Sequence, residues 1–196
     1  MNNKADHENY YQHLKGISLK GRIYKRFFSS PLLYVCARFF GKAIVEVGCG
    51  TGSGLIGSFP TRVTGLDINS LAVEYCSSTG KNVKLIKEDG GFPLAGERFD
   101  TCVLDNVLEH IENPKKTLDE CYRITRPNGG LVIVVPGLKG FESDQDHKIF
   151  YDINKLRILD NRWMLVCFFA IPSLFLSNKL SVRLKQYCIV AVYRKI

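Results

Sequence analysis

No Cys-x-x-Cys pair occurs in this 196-residue chain, whose seven cysteines (36, 49, 76, 102, 121, 167 and 188) are odd in number and follow no framework spacing. That excludes a zinc knuckle and a disulfide scaffold. Thiols scattered through apolar runs are expected as small buried hydrophobes in a reducing cytosol. No apolar run reaches the roughly 20 residues that a bilayer span needs. The strongest, Trp163 to Leu176, is interrupted by Pro172 and bounded by Arg162 and Lys179. A signal peptide is not expected either, because the first apolar stretch, Phe27 to Phe40, is broken by Ser29, Ser30, Pro31 and Arg38. Repeats, low-complexity tracts and long linkers are also missing. With 45% hydrophobic and 23% charged residues, what is left is one ordinary globular domain with a real core. A cytoplasmic location is the expectation.

Charge is unevenly placed within the formal net of +8. Residues 1–42 are net +6, residues 43–136 net −3, and residues 137–196 net +5. A uniformly basic nucleic-acid binder would not be arranged so, and DNA is not expected as a partner. The acidic centre and the basic flanks predict different ligands. The basic, aromatic segment Lys20–Phe40 has the composition of a stretch that lies on anionic lipid, so a peripheral contact with the inner membrane surface stays open.

Short apolar runs that end at glycine or acid recur through the middle of the chain. Lys42–Val47, Arg62–Asp67, Val83–Glu88, Phe99–Leu104 and Leu131–Val135 predict buried parallel strands. Between them, Leu55–Phe59 predicts a turn or helix start and Ser70–Ser77 a helix capped by Ser70. Pro114–Ile124 predicts a helix with Pro in its first turn, and Asn128-Gly129 a turn. Ile189–Tyr193 reads as a last edge strand with Met164–Phe169 beside it. The alternation predicts an α/β fold of the Rossmann-like, doubly wound type. Its sheet is mostly parallel and seven-stranded, with an antiparallel edge strand and helices on both faces. One domain covers 1–196: a helical extension over 1–41, a core over 42–136, and an acceptor-side region with the final strands over 137–196.

The centre of this pattern is Glu46-Val47-Gly48-Cys49-Gly50-Thr51-Gly52. Glycines at every second position let the backbone turn sharply and approach a ligand closely. A dinucleotide fingerprint needs a further Gly at offset six, where Ser53 or Leu55 stands instead, which argues against a hydride carrier. Glu46 before the glycines suits an ammonium group. Asp67, about twenty residues on, suits two ribose hydroxyls. Asp89, after the third strand, suits an exocyclic base amine. The ligand so described has an amino-acid end, a ribose and an adenine but no pyrophosphate, which is S-adenosylmethionine.

Five segments in order, VEVGCGTGSG, GLDIN, KEDGGFPL, FDTCVLDNVLEHIENP and ITRPNGGLVIVVP, resemble the motifs of the class I S-adenosylmethionine-dependent methyltransferases of the small type 11 kind. The resemblance covers about residues 42–136. It implies that Glu46, Gly48, Cys49, Gly50 and Gly52 hold the methionine end, and Asp67 with Ile68 the ribose. Asp89 and Gly90 would flank the adenine, and Asp105 or Asn106 would contact the region of the sulfonium.

An oxygen acceptor must lose a proton, to a general base or with the help of a metal. Asn106, Glu109 and His110 stand at i, i+3 and i+4 and share a face if a helix starts there. His147 follows the fifth strand, at the sheet edge where ligands bind. His110 and His147 are therefore the candidate bases. The Glu-His pair with a later His is similar to a metal-dependent subset of the family, which includes small-RNA 3′-end 2′-O-methyltransferases and ubiquinone-pathway O-methyltransferases. That likeness makes Glu109, His110 and His147 candidate ligands of a divalent cation, with Asn106 where the subset has its first Glu.

In this family the N-terminal helices and the region after the fifth strand cover the acceptor. Both are basic here, with Lys15, Lys20, Arg22, Lys25 and Arg26 in front and Lys139, Lys148, Arg157 and Arg162 behind. An anionic acceptor is implied: a small molecule, a saccharide, or a lipid-linked group. RNA is disfavoured, because Tyr10, Tyr11, Tyr24 and Phe27 follow helical rather than platform spacing. Tyr10, Tyr11 and Tyr151 are candidates for the acceptor pocket. Two alternatives to a small-molecule O-methyltransferase stay open: a metal-using enzyme for RNA or a lipid-linked acceptor, and a non-catalytic cofactor-binding subunit. The number of copies in the assembly is not legible.

Overall fold

The computed structural model describes Glu8 and residues 19–196. Tyr10, Tyr11, Lys15 and the front of the helical extension lie outside these residues, as do the side chains of Lys20 and Arg22. α1 (Leu19–Tyr24) passes through a π-helical turn at Lys25–Ser29 into α2 (Ser30–Arg38), where Pro31 occupies the first turn. Because the helix is continuous through the π turn, Pro31, which has no N–H to donate, leaves one backbone bond of the preceding turn unmade.

The strands are β1 (Ile44–Val47), β2 (Val63–Asp67), β3 (Val83–Leu85), β4 (Phe99–Asp105), β5 (Thr125–Pro136), β6 (Trp163–Ile171) and β7 (Cys188–Lys195). Between them run α3 (Leu55–Ser58), α4 (Ser70–Ser78), α5 (Lys115–Ile124), α6 (Leu138–Phe141), α7 (Ile153–Arg157) and α8 (Asn178–Ser181). They form one seven-stranded sheet in the order β3-β2-β1-β4-β5-β7-β6. β1 to β5 are parallel, and β7 runs antiparallel to both of its neighbours.

All four residues of β1 are buried, because both faces of the sheet are covered. On one face Val45, Leu104, Leu131 and Ile133 pack with Leu118, Cys121 and Ile124 of α5. On the other, Ile44, Val103, Val132 and Val134 pack with Leu33 and Ala37 of α2 and Cys76 of α4. Each such Leu, Ile or Val contributes roughly 1.5–3 kcal/mol by leaving water. The strand order reverses between β1 and β4, and clefts in sheets of this kind open at the carboxyl ends of the strands beside that point.

Several local features differ from the sequence reading. The final strand, β7, is not at the edge. Val190 to Tyr193 are all buried, so this strand has neighbours on both sides. β6, with Met164, Val166 and Cys167 exposed, forms the edge instead. Asn69, not Ser70, caps α4, and its side chain accepts the Leu71 and Ala72 N–H groups. Pro114 is itself the N-cap of α5. Asn128-Gly129, expected as a turn ahead of the fifth strand, lies within β5 itself, in an excursion where the pairing jumps from Phe99–Thr125 to Thr101–Gly130. Lys195 pins β7 to the end of α5, donating to the Tyr122 and Thr125 carbonyls at 2.8 and 2.7 Å.

Candidate functional site

β1 delivers Glu46 and ends at Val47, and the chain then turns through Gly48 (φ +72°) and Gly50 (φ +53°). Side chains rarely adopt that left-handed region. At Gly48 a Cβ would also crowd the Val107 side chain. The Gly48 and Cys49 N–H groups donate to the Leu66 carbonyl at 2.7 and 3.1 Å, which ties the loop to β2. Both acids singled out from the sequence hold this loop. The Glu46 carboxylate accepts the N–H groups of Leu55 (3.0 Å) and Ile56 (2.7 Å) at the start of α3, two donors that the helix itself cannot satisfy. The Asp67 carboxylate accepts those of Gly50 (2.7 Å) and Asn69 (2.8 Å).

α3 in turn presses on the loop, since a Cβ on Gly57 would overlap the Gly52 carbonyl oxygen. Backbone on both sides leaves no flexible atom to move aside. Gly57→Ala is therefore expected to lower the melting temperature by about 5 °C or more. A melt within about 1 °C of the parent would show that the loop yields.

A cleft of about 400 Å³ opens at the carboxyl end of β1 and β4. That is within the usual size of small-molecule sites, about 300–1,000 Å³. Glu46, Gly48, Cys49, Gly50 and Gly54 form one wall. Asp105 and Asn106, at the end of β4, form its floor. Asn106 has φ +55°, a conformation Asn tolerates better than most residues, and its Nδ2 donates to Asp105 Oδ1 at 2.7 Å. Lys25, in the π turn, reaches in and pairs with Asp105 at 3.2 Å. The Asp105 charge raises the Lys25 pKa. Burial pushes Glu46 up to about 7, and the nearby Asp105 adds to the rise. At this end of the cleft Glu46 and Asp105 thus place two carboxyl groups beside the one ammonium of Lys25. That donor set fits a ligand with a cationic end.

The same cleft is also lined by His110, Asp144 and His147. Glu109 and His110 sit on a single 3-10 turn, Leu108–His110, so the helical face expected to include Asn106 does not form. His147 Nδ1 lies 2.8 Å from the Phe141 carbonyl, which places the proton of the neutral ring on Nδ1 and leaves Nε2 as acceptor. Nε2 is 3.8 Å from Glu109 Oε1. The rings of His110 and His147 meet edge to face at 4.6 Å. One ligand atom from each of Glu109, His110 and His147 lies within 4.8 Å of the others. Neither carboxylate oxygen of Glu109 has a hydrogen-bond partner, although the residue is only 1% exposed. Burial pushes its carboxyl up to about 8.

The structure therefore brings Glu46, Gly48, Cys49, Gly50, Asp105, Asn106, His110 and His147 to one cleft. Asp67 lies beneath the loop, and Gly52 turns the chain at φ +73°. Ile68 is exposed after β2. Asp89 and Gly90 lie in the loop after β3, where Asp89 accepts the Gly91 N–H at 2.8 Å. Tyr151 is in the core rather than on the cleft. Arg162 is committed to Asp160 and Asp119 on α5. Sequence reasoning missed the Lys25–Asp105 pair and the Lys185-Gln186-Cys188 part of the wall. The partners of that ion pair are 80 residues apart, and nothing local signals it.

Residues 45–133 match the family model described as a methyltransferase domain. A probable S-adenosylmethionine-dependent methyltransferase of Mycolicibacterium smegmatis is 30% identical over 118 residues, 59% of this chain and 45% of that protein. A ubiquinone biosynthesis O-methyltransferase of Dechloromonas aromatica is 32% identical over 98 residues, 45% of this chain and 42% of that protein. The matches span about half or less of these two relatives. Among solved structures, a methyltransferase of Aquifex aeolicus superposes with a TM-score of 0.66 at 17% identity, over 96% of this chain and 98% of that one. At that identity the likeness is one of fold.

Proposed function

We propose that this chain, whose residues 45–133 match the model of a methyltransferase domain, is a class I S-adenosylmethionine-dependent methyltransferase that transfers a methyl group to an oxygen of a small-molecule or saccharide acceptor. The observation that carries this reading is that the glycine loop and two histidines, His110 and His147, line one cleft. The relatives named as ubiquinone biosynthesis O-methyltransferases support oxygen as the acceptor atom.

S-adenosylmethionine supplies a methyl group already activated on a sulfonium. The protein's work is then alignment, charge complementarity and removal of a proton. Glu46 offers its carboxylate to the amino-acid end, over a loop whose shape Asp67 holds. Ile68, Asp89 and Gly90 stand on the nucleoside side. Asp105, held by Asn106 and Lys25, presents negative charge at the floor. His147, oriented by the Phe141 carbonyl, takes the acceptor hydroxyl proton at Nε2, with His110 packed against its ring.

A second reading is favoured by one observation, the unpartnered Glu109 carboxylate beside two imidazoles. Glu109, His110 and His147 would hold a divalent cation that lowers the pKa of the acceptor hydroxyl.

Incubation with labelled cofactor and metabolite extracts, read by mass spectrometry, tests the main proposal. A methylated metabolite is expected, and His147→Ala should slow its formation about 10²- to 10⁴-fold. Turnover unchanged by EDTA supports the base. Loss restored by Mg²⁺ supports the cation. Protein that binds cofactor but methylates nothing in any extract would be a non-catalytic subunit, and the proposal would fall.

A further inference from the structure

Residues 9–45 and 161–196 contain no Asp or Glu. Both stretches wall the cleft: Tyr24, Lys25 and Ser29 from the first, Ile171, Lys185 and Cys188 from the second. Each also turns apolar side chains outward. Ile23 and Phe27, four residues apart on one helical face, are 49% and 72% exposed. In the second stretch, Leu174 and Phe175 are 60% and 64% exposed, and Val182 follows at 51%. Leu174 holds φ +63°, an uncommon conformation for a bulky residue, with its side chain in solvent.

Cations stand among these residues. Arg26, Lys179, Arg183 and Lys185 are exposed, and none takes part in an ion pair among the described residues. Single exposed hydrophobes are ordinary on any protein. Apolar groups on both elements that wall one cleft, interspersed with charge of one sign only, are a built surface.

We propose that these two elements dock the chain peripherally on an anionic lipid bilayer, with the acceptor reaching the cleft from the bilayer surface. The supply of acceptor rests on the transferase reading; the docking does not. Charge complementarity selects this occupant. Protein interfaces are depleted of Lys, and their cores of charge in general. An anionic bilayer attracts lysine and arginine and accepts Phe and Leu at its headgroup boundary. No helix among the described residues is long and apolar enough to cross a membrane, which suits attachment from one side.

The test is co-sedimentation of the full chain with vesicles of phosphatidylcholine alone or with about one-third phosphatidylglycerol. Binding is expected only to the anionic vesicles and should weaken steeply as salt is raised, because screening shortens the reach of surface charge. Arg183→Glu should lower the partition coefficient roughly fivefold or more. Phe175→Ser should lower it about tenfold with salt dependence intact. Both residues are exposed, and melting curves matched to the parent confirm that the variants fold. Equal binding to neutral and anionic vesicles, or to neither, overturns the proposal. A stable oligomer in solution whose dissociation follows Phe175→Ser would assign the surface to a second copy and also overturn it. Cofactor binding measured by calorimetry without vesicles reports on the transferase reading separately, so failure of one leaves the other legible.

Discussion

Cofactor affinity is expected to rise about tenfold between about pH 6 and about pH 8. Glu46 is held near pKa 7 by burial in β1, reinforced by Asp105 and opposed by the Leu55 and Ile56 N–H groups and by Lys25. At about one unit below that value roughly a tenth of the carboxyl is ionised, and one unit above it nearly all is. A cationic ligand end needs the ionised form, so binding releases a proton and strengthens as pH rises through 7. Glu46→Gln removes the titration and leaves at least one donor of α3 facing an amide. Affinity should fall by about 2–3 kcal/mol, or 30- to 150-fold, and the pH profile should flatten. Calorimetric titration across this range checks both, and a parent profile that is already flat would refute the role of Glu46.

The same shift has a sign for stability. Glu46 titrates at 4.5 when unfolded and near 7 when folded. Between those values the folded chain binds more protons, so the cofactor-free protein loses stability as pH rises from 4.5 to 7 and levels off above that. The whole change is of the order of 3 kcal/mol.

Asp67→Ala is expected to be the most damaging single substitution at the loop. The Gly50 and Asn69 N–H groups, bonded at 2.7 and 2.8 Å, would lose their acceptor in a buried setting. Each orphaned donor costs about 1–3 kcal/mol. For a chain of this size the melting temperature should drop by about 6–15 °C. Asp67→Asn keeps one oxygen, which can serve one of the two donors, and should fall between. If cofactor affinity drops further than the melt predicts, Asp67 also contacts the ligand. A melt within about 2 °C of the parent would show that the loop does not depend on this carboxylate.

Much of the architecture was legible because parallel strands covered on both faces read as unbroken apolar runs. KAIVEV and RVTGLD announce β1 and β2 with errors of a residue or two, and LVIVV announces the second half of β5, which begins six residues earlier at Thr125. β7 was legible as a strand, but its place in the sheet was not. Sheet order depends on which strand buries both edges, and that is settled by contacts with β5 and β6 far away in sequence. The one-turn segment Leu108–His110 failed for a different reason: i, i+3, i+4 spacing suggests a helix but does not supply the turns that would make one.

By itself the sequence determined the glycine loop, the acids beside it, and the class of ligand they suit. These follow from local rules: only glycine turns freely at positive φ, and an acid at a strand end sits beside the turn it precedes. Tertiary structure alone decided that Glu46 and Asp67 spend their carboxylates on backbone N–H groups and that Lys25 meets Asp105 across 80 residues. It also decided that His147 lies against Glu109 and His110, and that two acid-free segments far apart in sequence wall one cleft. Spacing along the chain carries no information about contacts closed by the packing of the sheet. Burial, which raises Glu46 and Glu109, exists only once that packing is complete.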